Sequence, residues 1–132
     1  MICTLTQPGQ ADGTDRIYTT EFFFQEQKLQ TYVKTLTVAP TVGNQNGALA
    51  VQNILNIYQP FVGSNVNGYE LKPETENQSL KISITVDLKK LDRGQLTYNH
   101  AANQFTNVEY NLDADETTIK TALQSTGYIC TE

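Results

Sequence analysis

The chain has 132 residues and a net charge of −5, with 39% hydrophobic and only 17% charged residues. That length suits a single domain with a core of its own, needing no metal and no set of disulfides to fold. A pI near 4.8, with nine scattered Lys and Arg whose one adjacent pair (Lys89-Lys90) is flanked by Asp87 and Asp92, leaves no basic patch for nucleic acid.

Thr, Asn and Gln carry most of the polar fraction, which favours strands and turns over long exposed helices. Thr4 to Thr6 reads as a first strand, closed by Pro8-Gly9 and the turn chemistry of Gly9 to Asp15. Ile17 to Phe24, dense in β-branched and aromatic residues, and Lys28 to Val38 are two long strands separated by the polar break Gln25-Glu26-Gln27. They should pair as an antiparallel hairpin, and Pro40 ends the run. Past the loop Thr41 to Gly47, apolar residues recur at helical spacing: Ala50, Ile54, Ile57, Phe61 and, beside them, Val51, Leu55, Tyr58, Val62. Together they form one broad apolar face, ended by Pro60.

Tyr69 to Thr75 is a weaker strand that Pro73 pushes to an edge. Leu80 to Leu88 alternates cleanly: Leu80, Ile82, Ile84, Val86 and Leu88 on one face, Lys81, Ser83, Thr85 and Asp87 on the other. That pattern implies one buried and one wet face. Asp92 to Val108 reads as loop, with a brief pairing over Gln95 to Tyr98. Asp113 is expected to cap a second helix, with Glu116 completing a capping box, Ile119, Ala122, Leu123 and Thr126 as its stripe and Gly127 at its end. Tyr128 to Cys130 is a terminal strand. The expectation is an α+β domain, roughly β-β-β-α-β-β-α-β, with a single antiparallel sheet and two helices packed on one face.

Cys3 and Cys130 stand at opposite ends in matched β settings. Chain termini of a domain often lie close together, so two terminal strands would bring the sulfurs within bonding reach. Such a bridge belongs to an oxidising compartment. The alternative is two unrelated buried thiols. Metal binding is not expected, because two distant cysteines and one His make no ligand set.

Three stretches carry a resemblance to a known family: Phe22 to Leu29, Ile82 to Asp92 and Ile119 to Tyr128. Over about Thr4 to Glu132 the chain resembles the YehR-like family of small bacterial cell-envelope lipoproteins. The resemblance implies an extracytoplasmic location, secreted or membrane-anchored, and supplies a place and a fold rather than an activity. It also implies a leader and an acylated anchor cysteine, and neither is visible. Cys3 lies inside the first strand, so the anchor, if any, is expected to have been trimmed, and with it the only link to a membrane.

His100, the single His, sits in a polar loop with no nucleophile elbow anywhere in the chain. Asp113-Ala114-Asp115-Glu116 lacks the Gly and distal Glu of an EF-hand and is explained by helix capping. Asp12-Gly13-Thr14-Asp15 is explained by turn propensity. Asn77-Gln78-Ser79 matches a glycosylation sequon that an Asn-rich chain produces by chance. No catalytic residue and no cofactor is therefore expected.

Phe22, Phe23 and Phe24 cannot share one side of a strand. Tyr18, Phe22, Phe23, Phe24 and Tyr32, beside the polar loop with Asn99, Asn103, Gln104 and Asn107, are the expected ligand-binding residues. The alternative is that loop 92–112 simply covers them. The leading reading is a monomeric, non-enzymatic envelope domain that binds an envelope ligand or protein. The alternative is a structural or inhibitory module without a small-molecule ligand, and an enzyme of another type is the third.

Overall fold

The computed structural model of the protein describes residues 1–63, 66–99 and 105–132. Six strands, β1 (Ile2–Gln7), β2 (Thr14–Gln25), β3 (Lys28–Pro40), β4 (Tyr69–Glu76), β5 (Ser79–Asp87) and β6 (Ile129–Thr131), form one sheet. All pairings are antiparallel, in the order β4-β5-β3-β2-β1-β6. The helices are α1 (Gly47–Tyr58), α2 (Arg93–Asn99) and α3 (Glu116–Ser125), with a single 3₁₀ turn over Gln59–Phe61. This is the expected α+β architecture, with α2 as an addition.

The two hairpins turn on two-residue loops, Glu26-Gln27 and Asn77-Gln78, all four residues at positive φ. Such loops match the right-handed twist of the strands they join. Asn77 of the sequon is one of these turn residues. Pro73 lies in the edge strand β4, where a missing N–H costs no ladder bond on the open side.

Strand alternation assigns the two faces. Leu80, Ile82, Ile84 and Val86 of β5 stand beside Val38, Leu36 and Tyr32 of β3 and Tyr69 and Leu71 of β4, all buried. The register slips between Phe23 and Phe24, so that Phe24 pairs with Leu29 and Phe23 with Thr31, and Gln30 is the extra residue. The bulge lets Leu29 and Tyr32, three apart in sequence, both face inward. On the opposite face lie Thr4, Thr19, Thr35 and Ser83 in one cross-strand row, with Lys81 and Thr85 exposed.

Helix α1 crosses β3 and β5 and buries Gly47, Val51 and Tyr58. Its apolar face is narrower than the periodicity suggested: Ile54, Leu55 and Phe61 are half-buried, while Ile57 and Val62 are exposed. Gly47 is tied to its place, since a Cβ there would meet the Gly13 carbonyl oxygen at 2.5 Å and Pro40 at 2.8 Å.

Two boundaries differ from expectation. Helix α2 occupies part of the segment read as loop. Asp92 starts it, its side chain accepting from the Gln95 N–H at 3.1 Å, and Leu96 is buried. Asp-x-x-Gln is a capping-box spacing, hidden by the Gly94 inside the first turn. Helix α3 is capped by Asp115, not Asp113: the Asp115 carboxylate accepts from the Thr118 N–H at 3.0 Å. Asp113 has φ 66° and accepts instead from the Gln30 amide at 3.0 Å. The backbone before α3 pairs with the end of the long hairpin, through Leu29 N–H to Ala114 O and Asp113 N–H to Leu29 O, each at 2.9 Å. That pairing moves the cap two residues on. At the other end Gly127 takes φ 97°, with Gly127 N–H to Gln124 O and Tyr128 N–H to Leu123 O closing a Schellman motif. Chain direction is thereby reversed into β6, where Cys130 faces Cys3 and the two form a disulfide.

Candidate functional site

The inward phase of the sheet is not uniformly apolar. On β2 it reads Thr14, Arg16, Tyr18, Thr20, Phe22, and on β3 it reads Tyr32, Lys34, Leu36, Val38. Two cations therefore stand on the covered face, and each has a dedicated partner. The Arg16 guanidinium donates to Asp12 Oδ2 at 2.6 Å and to Thr14 Oγ1 at 3.3 Å. The Lys34 ammonium donates to Glu109 Oε1 at 3.0 Å and to the Asn107 carbonyl at 3.3 Å, and lies 5.3 Å from the centre of the Phe105 ring.

Lys34 thus pins a strap, residues 105–111, across the sheet. Two more anchors hold the strap. Tyr69 Oη donates to the Thr106 carbonyl at 2.9 Å, and Arg93 donates to the Tyr110 carbonyl at 2.7 Å and to Asn111 Oδ1 at 3.2 Å. Tyr110 then packs edge-on over Phe22 and Tyr32, with ring centres 5.4 and 5.3 Å apart. Phe105 meets Tyr58 of α1 in the same edge-on manner at 5.8 Å.

Between the strap, α3 and the strands lies a half-open cavity of about 750 Å³. Leu5, Gln7, Arg16, Tyr18, Lys34 and Leu36 form its floor. Tyr58, Phe105, Glu109 and Tyr110 form one wall, and Ala122, Leu123, Thr126 and Tyr128 the other. That volume falls in the range of small-molecule sites, and the lining mixes aliphatic and aromatic side chains with charged and amide ones. A second cleft, about 370 Å³, is lined by residues of β1 and β6 and by Gly127, none of them charged.

Burial raises the pKa of Tyr110 and Tyr128, and the Glu109 carboxylate adds to both shifts. Both phenols are therefore neutral hydroxyls at physiological pH, able to donate and accept. Burial works against the charge on Arg16, but its hydrogen bonds to Tyr18 and Asp12 outweigh that and hold its pKa above the ordinary value. The Thr14 hydroxyl, donating at 2.6 Å, and the Arg16 guanidinium keep the Asp12 carboxyl below the usual range despite some desolvation.

The five residues expected to bind ligand do not form one surface. Tyr18 alone among them lines the cavity. Phe22 and Tyr32 are 2% and 1% exposed, closed off by Tyr110, and Phe24 stacks on Phe22 and is half-buried. Phe23 points to the opposite face and is 46% exposed. The expected grouping of these five residues is thus corrected: alternation and the bulge turn Phe22, Phe24 and Tyr32 inward, and Tyr110 of the strap packs on Phe22 and Tyr32. Asn107 contributes its carbonyl to Lys34. His100, Asn103 and Gln104 lie outside the described residues. Among the described residues no group of three or more His, Cys, Asp or Glu is placed to hold a metal ion.

Sequence reasoning missed Gln7, Arg16, Lys34 and Glu109. A signal was present for the two cations, since Arg16 is two residues from Tyr18 and Lys34 lies midway between Tyr32 and Leu36. A charge in the inward phase of a strand marks either an ion pair or a lined cavity.

No family model matches the chain, and no curated protein matches it. An NMR structure of a protein from Streptococcus pneumoniae TIGR4 is similar in fold, with a TM-score of 0.58 over 98% of this chain and 83% of that one, at 13% identity. The likeness supports the α+β architecture.

Proposed function

We propose that the chain is a non-enzymatic binding domain of the extracytoplasmic cell envelope, of the YehR-like lipoprotein kind, and that its ligand site is the cavity between the strap and α3. The observation that carries this reading is the cavity itself: a recess on the covered face, walled by Tyr58, Phe105, Tyr110 and Tyr128 and floored by Arg16, Tyr18 and Lys34. Well-packed domains of this size close such recesses. Here three anchors hold the strap in place beside it. The Cys3–Cys130 disulfide supports the envelope location, because such bonds persist in oxidising compartments.

Plugging the recess tests the reading. Ala122 is exposed on the cavity wall of α3, so Ala122→Trp should fill the space while the fold persists. Native mass spectrometry of the protein recovered from envelope extract should show a bound small molecule on the natural chain and none on the variant. Equal occupancy of both, or of neither, refutes a cavity ligand.

A second reading, a structural or inhibitory module, draws on the opposite face. Ile2, Ile17 and Phe23 are exposed there, and a protein partner seated on that face would be retained by Ala122→Trp and lost by Phe23→Ser.

A further inference from the structure

We infer that the cavity takes an amphipathic organic acid, one anionic oxyacid group on an apolar body, with the anion at Arg16 and the body between Tyr18, Leu36 and Leu123. The inference rests on the cavity being a binding site and adds the ligand's chemistry and orientation.

The charge arrangement singles out one end. Arg16, Lys34 and Glu109 are the charged residues of the lining. Lys34 is spent on the strap, with Glu109, the Asn107 carbonyl and the Phe105 ring around its ammonium and a side chain only 11% exposed. Arg16 differs. Its partners, Asp12 on the preceding turn and Thr14 at the start of β2, lie outside the lining and engage Nη2 and Nε. They fix the guanidinium in position, and Arg16 and Tyr18, two residues apart on β2, both line the floor of the cavity. A guanidinium held this way is pre-organised for a carboxylate, sulfonate or phosphate oxygen. Gln7, opposite Arg16 in the β1–β2 register, adds an amide donor at the same end.

Glu109 sets the opposite polarity. Its partner Lys34 is level with Thr20, four residues along β2 from Arg16, so the backbone positions of Lys34 and Arg16 are offset by roughly 13 Å along the strands. The Lys34–Glu109 pair leaves that end without an unpartnered cation for an anion, and Tyr18, Leu36 and Leu123 are among the lining residues. The chain as a whole carries −5, so an anion gains nothing from general attraction and must be drawn by the local group.

Two fluorescent probes of similar shape separate charge from hydrophobic binding: anilinonaphthalenesulfonate, an anion, and N-phenylnaphthylamine, which is uncharged. The intact, disulfide-bonded chain should bind the anion at one site, at least about tenfold tighter than the neutral probe. Arg16→Gln should abolish that preference and leave the neutral probe's affinity within about twofold. Ala122→Trp should expel both. The natural chain gives a further readout that needs no Arg16 variant: added NaCl should shrink the ratio of the two affinities, as screening weakens a charge contact. Equal affinities, a preference that survives Arg16→Gln, or a ratio indifferent to salt overturns the organic-acid inference while leaving the cavity a site. Absence of binding by either probe, or binding untouched by Ala122→Trp, overturns the cavity reading itself.

Discussion

One face of the sheet is covered in two different ways. Over β5, β4 and the Val38 end of β3 it is sealed: Val38, Leu80, Ile82, Ile84 and Val86 are buried, with α1 packed against β3 and β5. Over β2, β1 and β6 the same face carries Arg16, Tyr18, Gln7 and Leu5, and α3 stands off it across the cavity. The sealed side follows from burial of apolar area alone. The open side is held by discrete bonds: the disulfide, the Lys34 and Arg93 anchors of the strap, and the caps of α3. A recess stays open where local fastenings replace packing as the source of order.

The largest expected effect lies in the strongest of those fastenings. Cys3 and Cys130 are 127 residues apart in sequence, and in the loop-entropy model a bridge of that span is worth roughly 4–5 kcal/mol, less any strain. Replacing both cysteines by Ala should lower the urea midpoint accordingly, and reductant should do the same to the natural chain. Thiol titration of the denatured, unreduced protein should find no free thiol. If the fastening picture is right, amides of β6 and α3 lose exchange protection in the variant while those of β5 keep theirs. Uniform loss would make the two sides one unit.

On the sealed side the counterpart is Ile84→Ala. Ile84 is 1% exposed, and removing such a side chain costs about 2–5 kcal/mol through lost transfer energy and the hole left behind. Chemical denaturation should show this loss, with probe binding in the remaining folded protein unchanged. A variant as stable as the natural chain would mean the sealed side is not packed as described.

The sealed side was also the legible one. Strict alternation in Leu80 to Leu88 announced β5 and its buried face. The Pro73 edge was likewise visible in a single residue, and on the open side the β-branched run Ile17 to Phe24 and the Gly127 stop could also be read. The site was not, because it depends on which residues become neighbours. Lys34 meets Glu109 and Phe105 only once the strap is laid across β3. The bulge at Gln30, which turns Leu29 and Tyr32 to the same face, has no Gly or Pro to announce it. Asp113 and Asp115 are equally good caps by composition, and the pairing of Leu29 with Ala114 and Asp113 chose between them.

Phe22 and Phe23 turn the comparison of faces into one of neighbours. Phe22→Ala should cost about 3–5 kcal/mol, as large aromatic truncations in a core do. Phe23→Ser, on the open outer face, should stay within about 0.5 kcal/mol. Thermal melts of the two variants give the contrast directly, and a large loss from Phe23→Ser would mean that something covers the outer face.

The smallest effect is the dependence on acid. Two carboxyls are held below their ordinary range: Asp12 chiefly by the Thr14 hydroxyl, and Asp115 by the backbone N–H of Thr118. A carboxyl whose folded pKa is depressed contributes stability that is complete above its unfolded value, about 3.9, and disappears as pH falls through the folded one. The melting temperature should therefore hold steady from neutrality to about pH 5 and decline below about pH 4. Solvent screening keeps the decline modest, because Asp115 is exposed and Asp12 only half-buried. Both also belong to the open side, Asp12 behind Arg16 and Asp115 at the start of α3. Acid should accordingly loosen the turn before β2 and the first turn of α3 before it reaches β5, a sequence that amide exchange between pH 5 and pH 3 resolves. Asp115→Asn keeps an acceptor for the Thr118 N–H but cannot titrate. It should leave stability near neutrality almost unchanged and flatten part of the acid decline. If β5 amides open together with those of α3, the fastenings do not act locally, and the division of the covered face into a packed half and a fastened half fails.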